Sequence, residues 1–216
     1  MSGPFRGFPV EGLDFYDDLE TDNSRSFWAK NKQTYLDVVR APMEALLSEL
    51  EPDFGPGKAF RPYRDLRYSN DPTPYKTHQG GFVATSEACG FYVQVDAAGL
   101  LTGAGWYHAA GPAVTHFREA VDDEATGTKL ARIVGRLVRA GFEIGGDQLK
   151  TRPRGYDSAH PRIELLRHRS LIATRRYDGT QPWLHTAEAG GRVHADWRAL
   201  RPLVDWFGDH VAATPG

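Results

Sequence analysis

The stretch Phe91-Tyr92-Val93-Gln94-Val95-Asp96-Ala97-Ala98-Gly99-Leu100-Leu101-Thr102-Gly103-Ala104-Gly105-Trp106-Tyr107 decides the fold. Phe91, Val93 and Val95 alternate with Tyr92, Gln94 and Asp96, so one face of a strand would be apolar and the other polar. Ala97-Ala98-Gly99 supplies a turn and Leu100 to Tyr107 resumes an extended run, which together predict an antiparallel β-hairpin. Gly103 and Gly105 leave one side of the second strand bare and imply close approach by a helix, a ligand or another backbone.

Working outward, the pattern changes to helices on both sides. Glu11 to Glu20 places Leu13, Phe15, Tyr16 and Leu19 at helical spacing. Asp22-Asn23-Ser24 offers caps for a second helix, whose stripe runs through Phe27, Trp28, Tyr35, Val39, Met43, Leu46, Leu47 and Leu50. Pro42 should kink that helix or start a new one after Arg40, and Trp28 and Tyr35 read as core residues. Pro52, Gly55, Pro56 and Gly57 close this helical part. Phe60 to Ser69 then alternates as a strand would, with Phe60, Arg64, Leu66 and Tyr68 on one face.

Beyond the hairpin, Pro112 opens a helix to about Val121, and Thr126 to Ala140 carries an apolar face. A short strand is expected within Phe142 to Arg152, a short helix over Arg162 to His168, and a strand at Leu171 to Arg175. A terminal amphipathic helix follows, through Trp197, Leu200, Leu203, Val204, Phe207 and Val211. Strands lying between helices without regular βαβ alternation predict an α+β fold. The expectation is a single domain over residues 11–212, mainly an antiparallel sheet flanked by N-terminal, central and C-terminal helices, after a flexible N-terminus of residues 1–10.

Composition narrows the function classes. The chain has 216 residues, enough to bury about 70% of its unfolded surface. Its 28 acidic and 26 basic residues give a net charge of -2, so no global basic field favours nucleic acid, and such a partner would need a local patch. The lone Cys89 excludes an intrachain disulfide and, between Ala88 and Gly90, is a poor candidate nucleophile. Met1 to Val10 lacks the basic and apolar regions of a secretory signal, and no run of 18 apolar residues exists, so a cytoplasmic protein without a membrane partner is expected.

Chemistry concentrates in Arg61 to His78, which holds four cations, two carboxylates, three tyrosines and three hydroxyls. Arg64, Arg67 and Lys76 are the groups that grip phosphate or carboxylate, and Ser69, Thr73 and Thr77 add hydroxyl donors. Asp71-Pro72-Thr73-Pro74 is a rigid turn in which Asp71 can bond its own downstream amides. The same residues could equally form an internal lattice, with Asp65 and Asp71 pairing the arginines. His78, His108, His116, His160 and His168 are scattered without metal-ligand spacing, and His160, just before Pro161, reads as a cap despite Glu164 four residues on. No metal is expected. No nucleophile elbow, P-loop or dinucleotide fingerprint occurs, and no cofactor is expected.

Asn23-Ser24-Arg25 with Phe27-Trp28, Tyr63 to Asp71 with Pro74-Tyr75-Lys76-Thr77, Gly103 to Tyr107, Lys150 with Gly155-Tyr156-Asp157 and His160-Pro161, and Glu164 to Arg167 with Arg169-Ser170 together resemble the DUF2461 family. The resemblance covers about Gly12 to Phe207. It implies an α+β domain and supplies no reaction. Arg169 stands where the family pattern has a lysine, which keeps the charge but changes the donor geometry. The resemblance also brings Lys150, Tyr156, Asp157, His160 and Arg169 into view as a second polar cluster.

Two readings follow from the residues. In one, a small anionic molecule, phosphorylated ones included, is held by Arg64, Arg67, Tyr75, Lys76, Lys150 and Arg169, with catalysis undecided and Asp65, Asp71 and His160 as acid/base candidates. In the other, the motif is an internal salt-bridge network in a non-catalytic structural or interaction module. Single-stranded nucleic acid, held through Tyr63, Tyr68 and Tyr75, is disfavoured by the charge balance.

Overall fold

In a computed structural model, which describes residues 3–65, 72–107 and 111–211, Phe91, Val93 and Val95 are buried and Tyr92, Gln94 and Asp96 half-buried, as their alternation requires. The strands are β1 (Gly57–Ala59), β2 (His78–Ser86), β3 (Cys89–Asp96), β4 (Gly99–Trp106), β5 (Glu143–Gly145) and β6 (Leu171–Asp178). The helices are α1 (Val10–Thr21), α2 (Arg25–Tyr35), α3 (Ala41–Phe54), α4 (Gly111–Asp122), α5 (Glu124–Arg139), α6 (Ile163–Leu166) and α7 (Glu188–His210). The strands form one antiparallel sheet in the order β1-β2-β3-β4-β6-β5, within an α+β domain.

Local chemistry explains most boundaries. The Ser24 hydroxyl caps α2 by accepting the Phe27 amide at 3.1 Å. Between α2 and α3 the chain makes a π turn over Leu36–Arg40, because Pro42 has no amide to give the carbonyl of Val38. Asp123 caps α5 by accepting the amides of Ala125 and Thr126.

Three elements depart from expectation. Over its described part, the run Phe60 to Ser69 is not a strand. Its only ladder pairing is an isolated antiparallel bridge between Tyr63 and Tyr75, flanked by Arg64 N–H to Pro74 O at 2.9 Å and Lys76 N–H to Pro62 O at 2.8 Å. Pro62, Pro72 and Pro74 lack the amide donors that a longer ladder needs. Conversely, β2 forms through Gly80 and Gly81, where side chains would collide: a Cβ on Gly80 would lie 2.7 Å from the Tyr92 hydroxyl, and one on Gly81 2.8 Å from Met43 Sδ. Helix α7 begins nine residues before Trp197, since Ala189 and Val193 extend the same buried stripe.

The residues group into two compact units. The first comprises Met1–Val83, Tyr92–Thr102 and Arg176–Ala195. Its core includes Phe15, Tyr16, Leu19, Trp28, Tyr35, Val39 and Tyr75. The N-terminal residues, expected to be flexible, carry buried Phe5 and Phe8, and the Phe8 amide donates to Leu184 O at 2.9 Å while His185 Nδ1 donates to Phe8 O at 2.8 Å. The second unit comprises Ala84–Phe91, Gly103–Arg175 and Asp196–Gly216. There Trp106, Phe117, Trp206 and Phe207 pack ring against ring, and the Trp206 indole N–H donates to Thr126 O. No helix among the described residues is long and apolar enough to cross a membrane.

Candidate functional site

In the first unit, the short ladder around Tyr63 and Tyr75 gathers part of the central motif. Asn23 fixes it from the end of α1: Nδ2 donates to Tyr75 O at 3.0 Å and Oδ1 accepts the Tyr75 amide at 3.1 Å. Arg64 Nη2 approaches the same Tyr75 carbonyl at 3.4 Å. The Tyr75 ring is buried and stacks on Trp28, with centroids 4.3 Å apart and planes within 10°. Tyr63 packs beside both rings but stays 46% exposed. The Trp28 indole N–H is buried and has no acceptor among the described residues.

Cations cluster on this ladder. Lys76 Nζ lies 5.4 Å from the centroid of the Phe60 ring. Its amine is held below the usual lysine range by burial, then by the guanidinium groups of Arg61 and Arg64. The His78 imidazole is likewise pushed down, first by burial and then by Lys76, so the ring stays neutral. Neither Arg61 nor Lys76 makes an ion pair among the described residues. Arg67 and Asp71 lie outside those residues, and Asp65 is half-buried.

Next to this cluster runs a chain of polar contacts that the sequence reading did not assemble. Tyr92 Oη donates to Gln94 Oε1 at 2.7 Å, Gln94 Nε2 donates to Asp96 Oδ2 at 2.7 Å, and Arg176 grips both Asp96 oxygens at 2.9 and 3.0 Å. Burial pushes the Asp96 carboxyl upward, but the hydrogen bonds from Arg176 and Gln94 outweigh it and hold the group below the usual carboxylate range. Gln79 is buried and fully committed, accepting from Tyr35 Oη at 2.6 Å and donating to the carbonyls of Phe60 and Gly80.

The remaining candidates belong to the second unit. Arg169 pairs with Asp147 at 2.7 Å, both side chains about half exposed. Lys150 is exposed, and its carbonyl accepts from Arg167 Nη2 at 3.3 Å. His160 is engaged at both nitrogens: Nδ1 accepts the Arg162 amide at 3.0 Å and Nε2 faces Asp122 Oδ1 at 3.2 Å. That is the role of a bracket at the start of α6. Among the described residues, no three His, Cys, Asp or Glu side chains gather so as to hold a metal ion.

The family described as "Conserved hypothetical protein (DUF2461)" matches residues 11–206. The chain belongs to the DUF2461 family. No curated protein and no solved structure matches it.

Two further features of this DUF2461 chain bear on its chemistry. Cys89 is buried and its thiol is pushed up to about 11 by burial, so it holds its proton at neutral pH. His168, also buried, donates from Nδ1 to Ser170 O at 2.9 Å and accepts from Gln148 Nε2 at its Nε2 at 2.6 Å, which fixes a neutral tautomer. Arg61 and His78 lie in the motif that the sequence singles out, without a ligand role there, and Trp28 is the residue of this cluster that sequence reasoning left out. Arg61 lay one position before the proline that opens the ladder, and Trp28 was assigned to the core alone.

Proposed function

We propose that this DUF2461 protein binds a small anionic ligand, bearing phosphate or carboxylate groups, at the cluster of Arg61, Arg64 and Lys76 on the Tyr63–Tyr75 ladder. The observation that carries this reading is the crowding of Lys76 by like charge. Arg61 and Lys76 have no ion-pair partner among the described residues, and burial first, then the guanidinium groups of Arg61 and Arg64, hold the amine below its usual range. With Arg64 and Lys76 half-buried and Arg61 exposed beside them, the crowded cations gain when an anion enters between them. The Trp28 indole, stacked on Tyr75 of the same ladder, is a buried donor without an acceptor among the described residues.

A second reading has its own support at Arg64. Its approach to Tyr75 O, together with the Asn23 bracket, makes part of the motif a structural clasp. Under this reading the ladder is an end in itself.

Calorimetric titration with inorganic phosphate and with malonate separates the two. Binding is expected, and Lys76→Ala should weaken it by about 1.5–3 kcal/mol, the range of hydrogen bonds to charged groups, while the melting temperature of the unliganded protein stays within a few degrees. Absence of binding by either anion, with a lower melting temperature in the variant, would establish the clasp and remove the ligand site.

A further inference from the structure

Helix α5 carries a second concentration of positive charge, in the other unit. Lys129, Arg132, Arg136 and Arg139 recur at spacings of three and four residues. At about 100° per residue they fall within an arc of about 80° and span about 15 Å of helix. All four are exposed, and none makes an ion pair among the described residues. No acidic residue occurs between Ala125 and Phe142, in a chain where acids outnumber bases. Arg132 and Arg136 stand at i, i+4, an arrangement that destabilises a helix through like-charge repulsion.

The four cations border a concavity. Together with Thr128 and Gly135 on α5, and Pro161 and Arg162 at the entry to α6, they line a groove of about 950 Å³. Its neighbours of opposite sign are already committed. Glu124, at one end, is bonded to Arg162 Nη1 at 3.0 Å and accepts from the Thr128 hydroxyl, so it does not neutralise the row. Gly135 keeps the floor open, since an added Cβ would meet only Arg139 Nη1 at 3.5 Å.

A solvated helix face usually mixes both signs, and a single-sign row is what an extended anion requires. A groove this long exceeds one phosphate or carboxylate. Each internal phosphate of a linear chain offers two terminal acceptor oxygens and one negative charge, and each end group three oxygens and up to two charges, which matches guanidinium forks set along an axis. The lining has no aromatic side chain on which a base could stack, which disfavours a nucleic-acid strand.

We propose that the α5 groove binds a linear oligophosphate, three or more linked phosphates lying along Lys129, Arg132, Arg136 and Arg139. The site is independent of the Arg61–Lys76 cluster, and either can fail without the other.

Binding of sodium tripolyphosphate to the full chain, measured by calorimetry at two salt concentrations, tests the assignment. The probe variant is Arg136→Glu, which replaces like-charge pairs with opposite-charge pairs against Arg132 and Arg139 and so offsets the loss of a cation from the last turn of α5. The expected result is at least a tenfold loss of tripolyphosphate affinity in Arg136→Glu with an unchanged or higher melting temperature, little loss in Lys76→Ala, and weaker binding at higher salt. Three results would overturn it: no tripolyphosphate binding at all, equal affinity in parent and Arg136→Glu, or a loss confined to Lys76→Ala. A single-stranded oligonucleotide or an oligoglutamate peptide that binds more tightly than tripolyphosphate would overturn the assigned occupant.

Discussion

Asn23 donates to the Tyr75 carbonyl and accepts the Tyr75 amide, so one short side chain satisfies both backbone groups of a residue 52 positions away. Replacing it with alanine leaves a half-buried amide and carbonyl without those partners, and Asn23→Ala should cost about 1–3 kcal/mol in urea unfolding. Asn23→Asp keeps the acceptor and loses the donor, so it should fall between parent and alanine variant. Equal stability of all three proteins would show that the ladder does not depend on the bracket. Arg162 performs a comparable service in the second unit. Its side chain is 8% exposed; Nε donates to Val121 O at 2.8 Å and Nη2 to Asp122 O at 2.9 Å, satisfying carbonyls at the C-terminal end of α4 that have no partner within the helix. Arg162→Ala should cost about 1–3 kcal/mol for each carbonyl left dry, and Arg162→Lys, with no planar fork, should recover little of it.

At the scale of elements, the glycines of the sheet separate two kinds of close approach. Gly105 has φ +141° and its Cβ would sit 2.3 Å from Leu171 O, so neither the backbone angle nor the neighbouring strand can accept a side chain. The Cβ of an alanine at Gly81 would meet only side-chain atoms, Met43 Sδ at 2.8 Å and the Leu47 methyls at 3.1 and 3.2 Å, which have more freedom to shift than a backbone carbonyl. Gly105→Ala should therefore destabilise by more than the roughly 1–3 kcal/mol typical of overpacking, and Gly81→Ala by less. Thermal melts of the two variants check the order, and a reversed order would remove the backbone argument. These glycines also mark where the sequence was legible. The alternation in β3, the stripes of α1, α3 and α5 and the Pro42 break follow from side-chain period and proline chemistry, which are local. The bare side of β4 implied a close neighbour, and that neighbour is the backbone of β6. Strand β2 was hidden because Gly80 and Gly81 answer to Tyr92 and Met43, distant in sequence. In the candidate site, Arg64, Tyr75 and Lys76 were legible as a dense polar run. Asn23 and Trp28 join them only through tertiary contacts that no spacing rule encodes.

For the whole molecule, the buried ionisable groups set a pH range of greatest stability. The folded state lowers the proton affinity of His78 and His168, mainly by desolvating the charged ring. A group whose folded value is depressed contributes fully above its unfolded value and loses that contribution as pH falls, so stability should decline below the ordinary imidazole value of 6.5. Asp96, depressed by Arg176 and Gln94 despite its burial, adds a further loss below the ordinary value of 3.8. Cys89 acts in the opposite sense: its folded value is raised by burial, so its contribution is complete below the unfolded value of 9.0 and fades as pH rises toward about 11. Tyr16, Tyr35 and Tyr92 extend that alkaline loss above 10.0, again through burial. The expected profile is a plateau between about pH 6.5 and 9 with a decline on each side. Urea midpoints at fixed ionic strength from pH 4 to 10 would display it. In His168→Gln the fall between pH 6.5 and 5 should be shallower than in the parent, because one of the two rings that resist protonation is gone. A parent protein that gained stability on acidification from pH 6.5 to 5 would mean that these rings are protonated in the folded state, and the neutral hydrogen-bonded tautomer assigned to His168 would be wrong.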